Sequence, residues 1–219
     1  MLGEATKYAE SVDSVMLLIV GISVLFLLGV TAAMIYFVIK YNKKRNPKAS
    51  QIEGNNTLEI LWIVIPTILV LVMFYFGYAV FHESRVVPKG AMTVKVIARM
   101  WAWEFEYNNG KKSNELYVPA NRPIKLELNS MDVNHSLYIP AFRIKEDVIY
   151  GRQNYMVIHP EKVGTYIIAC AEYCGLRHSN MYSKIHVLTQ KEFEKWIADS
   201  TGAFNYYKTT TEKYALLTY

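Results

Sequence analysis

The stretch CAEYCGLRHSNM, residues 170–181, places Cys170, Cys174, His178 and Met181 in one short segment, and its two cysteines are the only ones among 219 residues. A disulfide between cysteines so close in sequence would close a very small loop, restrain little of the unfolded chain and leave His178 and Met181 without a role. A structural zinc site wants four strong ligands and does not need a thioether. Thiolate, imidazole and thioether together are soft or borderline donors, the combination that selects copper over hard cations. A mononuclear blue-copper site takes one cysteine, two histidines and an axial methionine, so this loop carries one cysteine too many for it. Two thiolates can instead bridge two copper ions, each capped by a histidine. The second histidine must then come from elsewhere, and MDVNHSLYIP offers His135 just after the strand-like KLELN.

The elements that must position these residues lie in two different solvents. Two runs, Ser14 to Ile39 and Ile60 to Phe81, contain no charged residue. At about 1.5 Å of rise per residue, each is long enough for a hydrocarbon core of about 30 Å. The first run is too long for the apolar part of a signal peptide, follows net acidic residues and precedes no small-residue cleavage site. A retained hairpin is predicted, with helices at about 14–41 and 58–82 inside an N-terminal region 1–82. Its loop, YNKKRNPKASQIEGNN, carries Lys43, Lys44, Arg45 and Lys48 against Glu53. The positive-inside rule puts that loop in the cytoplasm and both chain ends on the other side.

Residues 83–200 read as one all-β domain, followed by a tyrosine- and threonine-rich tail, 201–219. MTVKVIARMWAWEFEY alternates as a half-buried strand, with Trp101 and Trp103 on one face. PIKLELNS, NYMVIHP, TYIIAC and YSKIHVL are further short strands, the spacing of a sandwich or barrel. KEFEKWIAD predicts a short helix near Gln190 to Asp199. From Arg85 onward 18 Lys and Arg face 13 Asp and Glu. No basic stripe interleaves with aromatics, and the domain faces away from the cytoplasm, which sets nucleic-acid binding aside. No haem-attachment CxxCH is present.

DVNHS followed by CAEYCGLRHSNM resembles the CuA motif of cytochrome c oxidase subunit II, a His followed by Cys-x-Glu-x-Cys-x3-His-x2-Met. The resemblance covers nearly all of the chain except the last twenty or so residues. It implies a two-helix transmembrane hairpin followed by an all-β, cupredoxin-like Greek-key barrel that carries a binuclear copper centre. Cys170 and Cys174 would bridge both ions, His135 and Met181 would complete one, and His178 with the backbone carbonyl of Glu172 the other. Trp101 matches the family's electron entrance from cytochrome c, although Ala102 stands where many relatives have tyrosine. Asp132 and Asp147 match acidic docking positions, with Glu104, Glu106 and Glu146 as neighbouring candidates. The Glu172 carboxylate would reach a magnesium ion shared with subunit I, and Glu59, three residues before Trp62, would stand at the entrance of a proton pathway.

The implied function is electron transfer from cytochrome c to haem in subunit I, within an oxidase of several subunits that reduces oxygen and pumps protons. The haems would belong to the partner alone. The implied place is a membrane, the bacterial inner membrane ahead of the mitochondrial one, with the copper domain on the periplasmic or outer face. The full ligand set argues against quinol-oxidising relatives, which lack it. A CuA-bearing subunit of a nitric oxide reductase is the alternative, and a membrane-tethered copper-binding protein a more distant one.

Overall fold

The computed structural model describes residues 5–48 and 54–199; the tail read at 201–219 lies outside the described residues. By internal packing the chain divides into two units: Ser11–His82, and the residues up to Glu10 together with those from Glu83 onward.

The helical unit is built from most of α1 (Lys7–Lys40) and α2 (Asn56–Arg85). Helix α1 begins at Lys7 rather than near residue 14 because Thr6 caps it, its Oγ1 accepting from the Ala9 amide at 3.1 Å. Asn55 does the same for α2, accepting from the Leu58 amide at 3.1 Å. Both helices are long and apolar enough to cross a membrane, at about 50 and 45 Å by helical rise. Large apolar side chains such as Leu25 and Phe74 are about two-thirds exposed along them. Water would penalise so much contiguous apolar surface, whereas lipid does not.

The other unit is a β-sandwich of ten strands: β1 (Met92–Arg99), β2 (Ala102–Tyr107), β3 (Lys112–Ser113), β4 (Leu116–Pro119), β5 (Ile124–Ser130), β6 (His135–Ile139), β7 (Ile144–Val148), β8 (Asn154–Ile158), β9 (Gly164–Cys170) and β10 (Tyr182–Leu188). One sheet runs β3-β2-β1-β5-β8 and the other β4-β10-β9-β6-β7. Both contain one parallel pair, β1 with β5 and β10 with β4, so the chain crosses between layers, as the expected cupredoxin-like fold requires. Alternate residues of each strand meet between the sheets: Val94, Val96, Phe105, Leu126, Leu128, Leu137, Ile168 and Ile185 are all fully buried. Each such side chain contributes roughly 1.5–3 kcal/mol by leaving water.

The segment read as one strand, MTVKVIARMWAWEFEY, is two. β1 and β2 pair antiparallel with Arg99 opposite Ala102, which makes Met100 and Trp101 the turn. The Met100 amide donates to the Asp132 carboxylate at 2.6 Å, and the Met131 amide donates to the Ala98 carbonyl. A contact from a distant loop thus holds a turn that the local alternation conceals. Trp101 and Trp103 consequently occupy different environments, Trp101 half-buried in the turn and Trp103 buried in β2.

The predicted C-terminal helix forms as α3 (Gln190–Ala198), opened by a reciprocal capping box between Thr189 and Glu192. Trp196 of this helix stacks on Tyr117 at 4.3 Å, and Tyr117 stacks on His186 at 4.5 Å. Truncating the sandwich centre by Leu126→Ala should cost about 2–5 kcal/mol. The check is the denaturant midpoint of the detergent-solubilised chain followed by near-ultraviolet circular dichroism; an unmoved midpoint would contradict this core.

Candidate metal centre

Strand register brings four connections to one end of the sandwich. β1 and β5 run parallel and finish at Arg99 and Ser130, so the 100–101 turn and the 131–134 loop emerge together. His135 at the start of β6 faces Val148 at the end of β7, and Asn154 at the start of β8 faces Leu128 near the end of β5. Cys170 ends β9 opposite Leu137, and Tyr182 opens β10 opposite Ala169. The loop 171–181 therefore rises beside His135, which lies 35 positions from Cys170 in sequence.

The donor atoms form a chain of close contacts. His135 Nδ1 lies 3.9 Å from Cys170 Sγ, and Cys170 Sγ lies 3.7 Å from Cys174 Sγ. Cys174 Sγ is in turn 3.6 Å from His178 Nδ1 and 3.8 Å from Met181 Sδ. The Glu172 carbonyl accepts from Cys170 Sγ at 3.3 Å. His135, Cys174 and Met181 are buried, Cys170 nearly so, and the ligand atoms of His135, Cys170 and Cys174 lie within 4.8 Å of one another. Both cysteines are free thiols. All six residues read from the motif thus converge on one point.

Their protonation reflects the crowding. Burial pushes the Cys170 thiol up, but hydrogen bonding to His135 and to the backbone at Ser136 and Glu172 outweighs it and brings it to about 6. Burial and then the charge of Cys170 push Cys174 up to about 12. Without a cation the pair holds one negative charge readily and resists a second. A thiophilic cation removes that conflict, since metal ligation requires both thiolates. Two thiolates, two imidazole nitrogens, a thioether and a carbonyl are the soft and borderline donors that copper takes.

Asp132, read as a docking acid, faces inward. Its carboxylate accepts from the Met100 and Val133 amides, both at 2.6 Å, and lies 2.8 Å from His135 Nε2. Burial works against its charge, but His135 and the two amides outweigh that and hold it below the usual carboxylate range. Burial likewise pulls His135 down, and Cys170 and Asp132 together more than compensate. A carboxylate on Nε2 favours the tautomer with its proton there, which leaves the Nδ1 lone pair facing the sulfurs.

The two tryptophans both reach the ligand loop, at different points. Trp101 Nε1 donates to the Cys174 carbonyl at 3.1 Å, and Trp103 Nε1 donates to the Met181 carbonyl at 3.4 Å. The Trp103 ring also stands edge-on to the His135 ring at 6.2 Å. Trp103 was legible only as core packing, because its contact with the loop depends on the hairpin turn. The remaining candidates stand apart from the donors. Glu172 has an exposed side chain in the loop, and Asp147 on β7 pairs with Lys145 at 3.4 Å. Glu104 is held between Arg99 and Lys112, Glu106 between Lys95 and Lys112, and Glu146 by Arg85 and Asn154. Glu59 occupies the first turn of α2 in the helical unit. Asp132→Asn should weaken copper retention by about 10–100-fold, the usual cost of losing a carboxylate behind a histidine ligand. Competition with a chelator of known affinity measures it, and an unchanged affinity would remove Asp132 from this role.

Known proteins resemble this chain in both its parts. The family model described as "Cytochrome C oxidase subunit II, periplasmic domain" matches residues 111–188, and the one described as "Cytochrome C oxidase subunit II, transmembrane domain" matches residues 3–80. The chain is 28% identical over 249 residues to the cytochrome c oxidase subunit 2 of Synechocystis, covering 91% of this chain and 75% of that one. It is 26% identical to a probable cytochrome c oxidase subunit 2 of Rickettsia bellii, over 81% of this chain and 74% of the other. A second probable subunit 2, from Rickettsia conorii, is 28% identical, and the match spans 65% of its length. Among solved structures, the periplasmic domain of subunit II of the cytochrome oxidase of Bradyrhizobium japonicum is 31% identical, with a TM-score of 0.49, covering 51% of this chain and 94% of that one. Matched in both its membrane and its extramembrane part, the chain belongs to the cytochrome c oxidase subunit II family, a membrane-bound component of an oxidoreductase complex.

Proposed function

We propose that this chain is the electron-receiving subunit of a haem–copper oxidase, taking electrons from cytochrome c and passing them to haem in subunit I for oxygen reduction coupled to proton pumping. One observation carries the reading: four donors, from two segments distant in sequence, lie within hydrogen-bonding distance of two adjacent thiols. Cys170 and Cys174 would bridge a binuclear copper centre, with His135 and Met181 on one side and His178 and the Glu172 carbonyl on the other. When bound, such a pair supplies a one-electron store shared between the two ions. The protein's part is to hold the donors so firmly that little moves as charge changes. The sandwich, the Asp132 contact and the Trp103 contact do this work.

Trp101 is the residue where electrons enter in this reading. Its half-buried ring meets the outside, and its N–H bonds directly to the backbone of a ligand residue. The exposed Glu172 carboxylate would reach magnesium at the subunit I boundary while its carbonyl serves copper. Asp132 and Asp147 would be the docking acids in this reading, Asp132 while also holding His135. The positively charged loop after α1 supports a sandwich on the periplasmic or outer face, which in this reading is that of a bacterial inner membrane. Metal analysis of the purified oxidase should find two coppers assigned to this subunit, with a paramagnetic resonance hyperfine pattern of one electron shared by two copper nuclei. A single copper, or zinc, would overturn the assignment.

Glu59 at the first turn of α2 would take up protons from the cytoplasmic side. Glu59→Gln should slow steady-state turnover and proton release together by about 100-fold, the lower end of the range for loss of a positioned acid–base group, and leave the copper spectrum unaltered. Turnover at the unsubstituted rate would reduce Glu59 to a charge favoured at a helix start.

A further inference from the structure

The position after the second cysteine is Gly175, with φ of 111°, and it touches the tryptophan of the β1–β2 turn. A β-carbon there would lie 3.3 Å from Cζ2 of Trp101, 3.5 Å from Nε1 and 3.7 Å from Cε2. These are ring atoms on the edge that carries the N–H. That N–H donates at 3.1 Å to the carbonyl of Cys174, in the peptide that joins Cys174 to Gly175. Ring edge, glycine α-carbon and carbonyl are therefore packed against one another with no room to spare. A methyl group at position 175 must push the indole outward or tilt it, and either motion lengthens the N–H to carbonyl contact. On the other side Cys174 is held, buried among the other donors.

We propose that Gly175 is a positioning residue for electron transfer: its missing side chain lets the Trp101 indole seat on the Cys174 carbonyl, which makes that hydrogen bond the link between ring and thiolate. From the carbonyl carbon the route to Cys174 Sγ continues through the residue's own covalent bonds. Trp103, which bonds instead to the Met181 carbonyl, is buried and presents no ring to a donor. The inference rests on the reading of Trp101 as the electron entrance and adds what seats it.

The test is stopped-flow reduction of the copper centre in the assembled oxidase, with reduced cytochrome c and separately with the small reductant hexaammineruthenium(II). Gly175→Ala should slow reduction by cytochrome c by about tenfold, the order expected for a sub-ångström misplacement, and leave reduction by the ruthenium complex within about twofold. In a Trp101→Leu background the same alanine should add nothing, because residues acting as one unit are not additive. A purely conformational role for glycine at positive φ would slow both reductants and would add fully to Trp101→Leu. Either result overturns the inference. Trp101→Leu at the unsubstituted rate would overturn the reading of Trp101 itself, whereas a slow Trp101→Leu beside a normal Gly175→Ala rejects only the role of Gly175. Should Gly175→Ala fail to retain copper, replacing Trp101 by 3-benzothienylalanine decides the matter. That analogue keeps the ring shape without the N–H, so a slowed reduction supports the link and an unchanged one overturns it.

Discussion

Two sulfur atoms 3.7 Å apart, both largely withdrawn from water, set the terms for the rest of this molecule. Bare, they cannot both ionise, since the first charge opposes the second in a setting that solvates neither well. Two histidine nitrogens, a thioether and a carbonyl crowd around them, and each is of a donor type that a soft cation takes. A structure selected for stability alone would not gather them there. A bound metal would resolve the charge conflict, and the sandwich supplies the rigidity that keeps the donors in place for it.

Rigidity comes from register. The core side chains between the sheets fix how far each strand extends, and that fixes where each loop begins. A slip of one residue in β6 would turn His135 away from the sulfurs and bring Ser136 in its place. The outer contacts reinforce the same end of the sandwich. Asp132 ties the Met100 turn, its own loop and His135 together through a single carboxylate. Trp101 and Trp103 tie the adjoining hairpin to the ligand loop at Cys174 and Met181. The site is thus braced from two loops and a turn that lie far apart in sequence, and its geometry is a property of the whole unit.

The acidic residues near this end are engaged within their own unit. Read as a set, Asp132, Glu104, Glu106 and Glu146 resemble a surface that could attract a basic partner. Each is instead held by a cation, an amide or a ring within the sandwich. For Glu104, Glu106 and Glu146 the neighbouring cation offsets part of the long-range field.

By itself the sequence determined the membrane hairpin, the β character of the second unit, the C-terminal helix and all six candidate donors. These follow from local properties: unbroken apolar runs, alternation with period two, the apolar spacing of KEFEKWIAD, and ligand types at a fixed spacing. Only the tertiary structure decided that the Trp101 segment turns back on itself, that α1 starts at a threonine cap beyond the apolar run, that Asp132 faces His135, and that Gly175 lies against an indole. The reason is common to most of these. A turn stabilised by a carboxylate 32 positions away, or a glycine packed against a ring 74 positions away, leaves no trace in neighbouring residues. Such features exist only once the strands have paired and brought those partners into contact.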